Sequence, residues 1–260
     1  METKQEEEDA DSDADAVIRV VSTKKKQKIK TRNINLLEVG AINTELIVAA
    51  AKTQQFMQQT KSSSSTSMES SSPPSSSPSS CRQVMVERSL YQLDVRAIDL
   101  RSSHEQIEEA DFLQIPVPRL NSLRYDVIVC SMVLNCVTTP QDRGKMLALL
   151  FHQLRPGGYC FLTIPRLCLS QSKYITKKIF NEMLVGSLGF EIFKTKESPK
   201  VSFWVLKRPD ALPIEKEENV NKVADKFQKI SIIHRGKKFK NMFSVILKET
   251  EVSGKAFERS

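Results

Sequence analysis

Residues 125–134 read Tyr-Asp-Val-Ile-Val-Cys-Ser-Met-Val-Leu, an almost unbroken apolar run. A strand with one wet face alternates polar and apolar residues, whereas a strand apolar on both faces needs cover on both, as in parallel sheets flanked by helices. The run therefore points to an α/β architecture, and its neighbours supply the rest of the pattern. Residues 34–39 (Ile-Asn-Leu-Leu-Glu-Val) form a short apolar strand that stops at Gly40. Helix formers follow over 44–59, with Asn43 or Thr44 as the cap. Further strands are predicted at 95–100, at 111–115 before Pro116, and at 159–164. Pro140 opens a helix over 141–154 whose Met146, Leu147, Leu150 and Leu154 share one face, and the Arg-Pro-Gly-Gly turn at 155–158 stops it. A helix over 176–188 ends at Gly189, and strands at 190–196 and 201–207 follow. This alternation predicts a mostly parallel sheet with helices on both faces and an antiparallel hairpin at the C-terminal edge.

Composition divides the rest of the chain. Residues 1–16 carry eight acids and one base, and residues 17–32 carry seven bases and no acid, so 1–32 reads as a disordered tail that changes sign. The basic half has the character of a nuclear-import address or a nucleic-acid patch, or of a solvated run leading into the first strand. Between positions 61 and 80, thirteen residues are Ser and three are Pro, a linker-like insert of about 60–82 inside a domain spanning 33–208. Residues 209–260 form a polar extension in which the apolar run 241–247 is a candidate last strand. No stretch approaches the roughly 18 apolar residues of a membrane span. The five cysteines, odd in number and without a CxxC pair, read as reduced core residues of an intracellular protein. The net charge of +8 permits an acidic partner such as RNA.

In an open α/β sheet, ligands bind beyond the carboxyl ends of the strands. Glu38-Val-Gly40 ends the first strand with a single glycine, which is not a dinucleotide fingerprint but suffices for a ligand without phosphates. Asp99 ends the second, where a carboxylate can accept from two ribose hydroxyls or merely form a turn. Its distance from Gly40 matches a compact βαβ unit once the insert is left out. Asp111 and Phe112 lie where a carboxylate and an apolar neighbour would meet an exocyclic amine and an aromatic ring. His104, His152 and His234 are scattered, with no metal-ligand spacing, and His152 reads as a partly exposed helix residue.

These features resemble class I S-adenosylmethionine-dependent methyltransferases, with a Rossmann-like sheet. Leu-Leu-Glu-Val-Gly at 36–40 is similar to their first motif, Ala-Ile-Asp-Leu at 97–100 to their ribose-binding acid, and Leu-Arg-Pro-Gly-Gly at 154–158 to the turn before their fifth strand. More narrowly, the chain resembles the fungal 25S rRNA adenine-N1 methyltransferase family, whose animal relatives include an S-adenosylmethionine sensor. The motifs that carry this are Ile-Asp-Leu-Arg-Ser at 98–102 and Ile-Glu-Glu-Ala-Asp-Phe-Leu at 107–113 with Pro116 and Pro118. Ser-Met-Val-Leu-Asn at 131–135, Pro-Gln-Asp-Arg-Gly-Lys-Met-Leu at 140–147, Ser-Leu-Gly-Phe at 187–190 and Lys-Val-Ser-Phe-Trp at 200–204 complete them. Such relatives carry a helical region with a Gly-Gly-Asp stretch ahead of the first strand, and only the charged tail precedes Ile34 here, which suggests a shortened or diverged member.

The resemblance implies that S-adenosylmethionine is held by Gly40 and Asp99, with Glu38 shaping the first turn and Asp111 and Phe112 near the adenine. Ser131 and the residues to Asn135 would line the floor where methyl group and acceptor meet. Adenine N1 already has an in-plane lone pair, so catalysis is placement rather than base catalysis, and Asn135 is the candidate contact to the base edge. Asn135 can equally be the cap of the next helix. Arg166, Lys173 and the bases at 24–32 are candidate phosphate contacts, and Tyr174 a stacking platform. The expectation is a monomeric, metal-free rRNA methyltransferase of the nucleus and nucleolus, acting on large-subunit rRNA or a pre-ribosome and not on a membrane. A non-catalytic S-adenosylmethionine-binding regulator and a small-molecule methyltransferase are the alternatives.

Overall fold

The computed structural model describes residues 31–62, 90–211 and 226–257. The expectations for the charged tail, for the insert beyond Ser62 and for 212–225 lie outside the described residues.

Seven strands form one sheet: β1 (Thr31–Val39), β2 (Leu90–Asp99), β3 (Glu108–Glu109), β4 (Tyr125–Ser131), β5 (Leu154–Pro165), β6 (Glu191–Glu197) and β7 (Val201–Lys207). Their order is β3-β2-β1-β4-β5-β7-β6. The first five are parallel, and β7 runs antiparallel to both β5 and β6. This is the mostly parallel, Rossmann-like sheet with a C-terminal antiparallel hairpin that the sequence predicts. The order reverses between β1 and β4, the switch point at which such sheets bind ligands.

The helices are α1 (Glu45–Ser62), α2 (Pro140–Gln153), α3 (Leu167–Ser170), α4 (Lys177–Glu182), which continues as a π-helical turn over Met183–Ser187, and α5 (Glu249–Val252). Asn43 Oδ1 accepts from Glu45 N at 3.1 Å, and Thr139 Oγ1 accepts from Asp142 N at 3.0 Å, so each long helix starts on a side-chain cap.

The two sheet faces are covered unequally. On one, Leu37, Val39, Ile98, Ile128, Cys130, Leu162 and Trp204 are buried with the apolar residues of α2 and α4. On the other, α1 packs over β2 through Ile47, Ala97 and Ile107, while Phe161, Phe193 and Phe203 of the hairpin side remain 43%, 67% and 38% exposed. Cover on both faces, as predicted, is therefore confined among the described residues to the β1–β2 end.

Three expectations need correction. The third strand is Glu108–Glu109, not 111–115: Asp111 Oδ1 accepts from Leu113 N at 2.9 Å and winds Phe112–Gln114 into a 3-10 turn. Pro116, which has no N–H for a strand ladder, then ends the segment. The Arg-Pro-Gly-Gly turn is a bulge inside β5, since Tyr125 pairs with Leu154 but Val127 with Tyr159. The run 241–247 is not a strand of the sheet. It crosses α2, where the missing Cβ of Gly144 leaves room for the Ile246 carbonyl and Ile246 N donates to Pro140 O at 2.9 Å. Phe243, Val245 and Leu247 are buried in the core, so this part of the extension belongs to the domain that was expected to close at 208.

Three cysteines, Cys130, Cys160 and Cys168, are buried, and burial pushes the Cys130 thiol up to about 12. Cys136 departs from the expectation and is exposed.

Candidate active site

Strand register sets the site. Val39 pairs with both Ile98 and Cys130, and Ser131 with Thr163. Gly40, Asp99, Ser131 and Thr163 therefore stand in one row along the carboxyl edge of β1, β2, β4 and β5. The sequence alone separates Gly40 from Asp99 by the whole insert, and parallel pairing closes that distance.

Gly40 turns the chain sharply, with φ of 73°, and its N–H and that of Ala41 both donate to the Ile98 carbonyl, at 2.9 and 3.0 Å. A methyl group here would collide with Val133 Cγ2. The position thus requires glycine both for its backbone angle and for its clearance. Just before it, Glu38 Oε2 is buried without a hydrogen-bond partner. Burial, and then the charge of Glu45, raise the Glu38 carboxyl above its usual range. A buried acceptor without a donor is uncommon and fits a site completed by a ligand.

Asp99 Oδ1 accepts from Arg101 N at 2.9 Å, which holds the carboxylate at the strand end. The Asp99 carbonyl accepts from Ala110 N at 2.8 Å and brings the 110–112 segment alongside. There the predicted pair separates. Asp111 caps the 3-10 turn and borders a hollow of about 560 Å³ shared with Arg96 and Tyr125, while Phe112 is 3% exposed and belongs to the core. The apolar surface beside Gly40 and Asp99 is instead Ile42 and Leu100, 93% and 65% exposed, and neither was singled out in the sequence. Their signal was a large apolar residue within two positions of each strand-terminal Gly or Asp.

Beyond β4 the chain turns through Met132 in the left-handed region, φ 61°, the sole positive-φ residue other than glycine among those described. Such a conformation persists only where its surroundings hold it. Here Met132 N donates to the Thr163 carbonyl and hydroxyl, both at 3.1 Å, and the Thr163 and Ser131 hydroxyls lie 3.0 Å apart. Ser131 is thus tied to Thr163, a residue sequence reasoning missed although it is the one aliphatic hydroxyl in the apolar fifth strand.

Asn135 follows that turn. Its Nδ2 donates to Cys136 Sγ at 3.4 Å, and its Oδ1 is buried without a partner. Thr139 caps α2, so the helix-cap role left open for Asn135 is already filled. Two buried acceptors, Glu38 Oε2 and Asn135 Oδ1, therefore flank the Gly40–Val133 contact. This donor-seeking, partly apolar edge fits a nucleoside-bearing ligand with an amino group such as S-adenosylmethionine.

The model of the family described as 25S rRNA (adenine(2142)-N(1))-methyltransferase, Bmt2, matches residues 80–245, more than half of the chain. The chain belongs to this family. Among proteins similar to it, the Saccharomyces cerevisiae 25S rRNA (adenine(2142)-N(1))-methyltransferase is 36% identical over 110 residues, covering 42% of this chain and 32% of that protein. The Schizosaccharomyces pombe 25S rRNA adenine-N(1) methyltransferase is 31% identical over 117 residues, 43% of this chain and 41% of that protein. These matches span well under half the length of either Bmt2-family relative. Among solved structures, the Burkholderia thailandensis 1,6-didemethyltoxoflavin-N1-methyltransferase with bound S-adenosylhomocysteine is similar at TM-score 0.40 and 14% identity, over 69% of this chain and 72% of that one. A variant of the 16S rRNA (adenine(1408)-N(1))-methyltransferase of Catenulisporales acidiphilia is similar at TM-score 0.35 and 11% identity, over 69% and 87% of the chains.

Proposed function

We propose that this chain carries the methyl-transfer core of an S-adenosylmethionine-dependent enzyme that methylates N1 of an adenine in large-subunit rRNA. The observation that carries the reading is the buried, unpartnered Oδ1 of Asn135, two residues beyond the Val133 that meets the Gly40 turn. It supplies an acceptor for the exocyclic amine of a purine at the edge where Asp99 would hold the ribose.

When bound, S-adenosylmethionine supplies an electrophilic methyl group. The side chains have the remaining task of placement. Asp99 accepts hydrogen bonds from ribose hydroxyls, Glu38 accepts from an amino group, and Ile42 and Leu100 offer apolar surface to the adenine. Asn135 accepts from N6–H and orients N1, which needs no general base because its lone pair already lies in the ring plane. Asp111 and Phe112 support this edge from behind rather than line it. Family membership and the two yeast relatives named for this reaction support the substrate class. The Lys-rich run at 24–32 supports action in the nucleus and nucleolus, and we infer a monomer.

The test is mass spectrometry of large-subunit rRNA from cells lacking the gene, restored with wild type or with Asp99→Ala. Loss of N1-methyladenosine, regained with wild type alone, is expected. Unchanged N1-methyladenosine, with cofactor binding retained by the purified protein, would assign the chain to the regulator alternative.

A further inference from the structure

From Lys226 to Lys248 the chain carries seven bases and no acid. Lys226 pairs with Glu182 at 2.6 Å and Lys248 with Glu251 at 3.4 Å. Between them Arg235, Lys237, Lys238 and Lys240 are exposed and form no ion pair among the described residues. A run of like charge repels itself and is ordinarily a loose, solvated segment.

This one is tied down at both feet on a single residue. The Lys173 carbonyl accepts from Ile233 N at 2.8 Å and His234 N at 3.1 Å, and Lys173 N donates to the Asn241 carbonyl at 3.0 Å. Asn241 N donates in turn to Gln171 O at 3.1 Å, and Ser172 Oγ to Phe243 O at 2.6 Å. Within the loop the His234 and Phe239 rings stack with centroids 4.4 Å apart, 16° from parallel. Phe239 N closes a turn onto Gly236 O at 3.1 Å, and Gly236 takes φ of 110° in open space. Four cations are thereby held together on a closed loop.

The position of the loop gives it a use. Residues 171–174 follow β5 and α3 at the carboxyl end of the sheet, the same edge as Ser131 and Asn135. Hydrogen bonds link the two places: Arg143 donates to the Val137 and Thr138 carbonyls, just after Asn135, at 2.9 and 3.2 Å, and to the Ser244 carbonyl, three residues beyond the Asn241 foot of the loop, at 2.9 Å.

We propose that the loop 234–240, anchored on Lys173, is a docking element for the phosphate backbone of the RNA whose adenine enters the Asn135 site. The inference rests on the RNA reading above and adds the surface that holds the strand. Arg235, Lys237, Lys238 and Lys240 provide the charge, and anchoring keeps them together before the RNA arrives, which lowers the ordering entropy of binding.

The test uses the full chain and a synthetic stem-loop RNA with an unpaired adenine, with binding followed by fluorescence anisotropy across a salt series. Each phosphate contact to a single strand contributes about 0.7 to the slope of log affinity against log salt. Lys237→Gln/Lys238→Gln is expected to flatten that slope by roughly 1.4 and to weaken binding about 25-fold at roughly 0.1 M salt. Its affinity for S-adenosylmethionine should stay unchanged. Lys52→Gln/Lys255→Gln, of equal charge but on α1 and beyond α5, should stay close to wild type. If the wild-type chain binds the RNA and the loop variant binds as well as wild type, the docking role is overturned while the RNA reading stands. If the wild-type chain binds no RNA, the RNA reading itself fails and the loop assignment with it. Loop-dependent binding of poly-glutamate as tight as that of RNA would overturn the assignment in favour of an acidic protein partner.

Discussion

The Asp126 carboxylate forms an ion pair of 2.5 Å with the Arg155 guanidinium across the bulge that interrupts β5. Asp126 is the β4 residue that faces the bulge, between Tyr125, paired with Leu154, and Val127, paired with Tyr159. It also accepts from Asn35 N of β1 at 2.8 Å. One buried carboxylate thus joins three strands at the amino end of the sheet. Removing one partner of a buried pair leaves the other unsatisfied, and Arg155 is a third exposed, which puts the loss at the lower end of the usual range. Asp126→Ala is expected to lower the unfolding free energy by about 3 kcal/mol. Urea unfolding measures it, and a change within error of zero would show that the pair is dispensable.

Gly40, at the end of β1, meets the Val133 side chain beyond β4, where the proposed cofactor and acceptor edges adjoin. Gly40→Ala adds a methyl group into Val133 and forces alanine into a left-handed conformation, which by itself costs roughly 1–2 kcal/mol. A lowered unfolding midpoint together with loss of S-adenosylmethionine binding in calorimetric titration is expected. Gly40→Ala/Val133→Ala relieves the collision but not the backbone strain, so it should recover part of the stability. Full recovery of both readouts would mean that backbone angle is unimportant here.

The proposed role of Asn135 is to place the base. Asn135→Ala is expected to reduce kcat for RNA methylation roughly 100-fold, the usual loss for one positioned polar group at a reacting centre. S-adenosylmethionine affinity should be preserved. Single-turnover methylation and calorimetry read the two separately. A parallel fall in both would identify Asn135 as a support of the cofactor pocket.

His152 gives a pH signature. It is half-buried near the end of α2, its Nε2 lies 3.2 and 3.0 Å from the Glu251 and Val252 carbonyls of α5, and desolvation pushes its pKa from 6.5 down to about 4. The neutral ring is the one the fold accepts, and an unfolded chain binds the proton more readily. Stability is therefore lost as pH falls from about 6.5 towards 4, by up to roughly 3 kcal/mol. Glu251 is raised by burial and acts in the opposite sense, losing stability as pH climbs above its ordinary 4.5. His152→Phe should remove the His152 contribution and flatten the unfolding free energy between pH 4 and 6.5. A profile parallel to wild type would place the titration elsewhere.

Most of the sheet was legible because apolar runs and their stops are local properties. The strands at 34–39, 95–100, 125–134 and 201–207, Pro140 at the head of α2 and Gly189 after α4 and its π-helical turn all follow from a few neighbouring residues. Gly40 and Asp99 were legible for the same reason, as strand-terminal residues in the expected order. Thr163, Val133, Leu100 and Ile42 were not, because a residue gains its place at a parallel edge from strands distant in sequence. The burial of Phe112 in the core was not legible either, because an aromatic residue beside an acid looks the same whether it lines a pocket or fills a core.

By itself the sequence determined the α/β class, the strand and helix order and the positions of Gly40, Asp99 and Asn135, since periodicity, caps and turn residues act within a few bonds. Only the tertiary structure decided that 241–247 lies across α2 instead of joining the sheet, because that depends on the missing Cβ of Gly144 meeting the Ile246 carbonyl. It alone decided that the partly exposed His152 anchors α5, and that the basic loop 234–240 stands on Lys173. Contacts between residues about sixty to a hundred positions apart carry no local signal; they exist once packing has brought the backbones together.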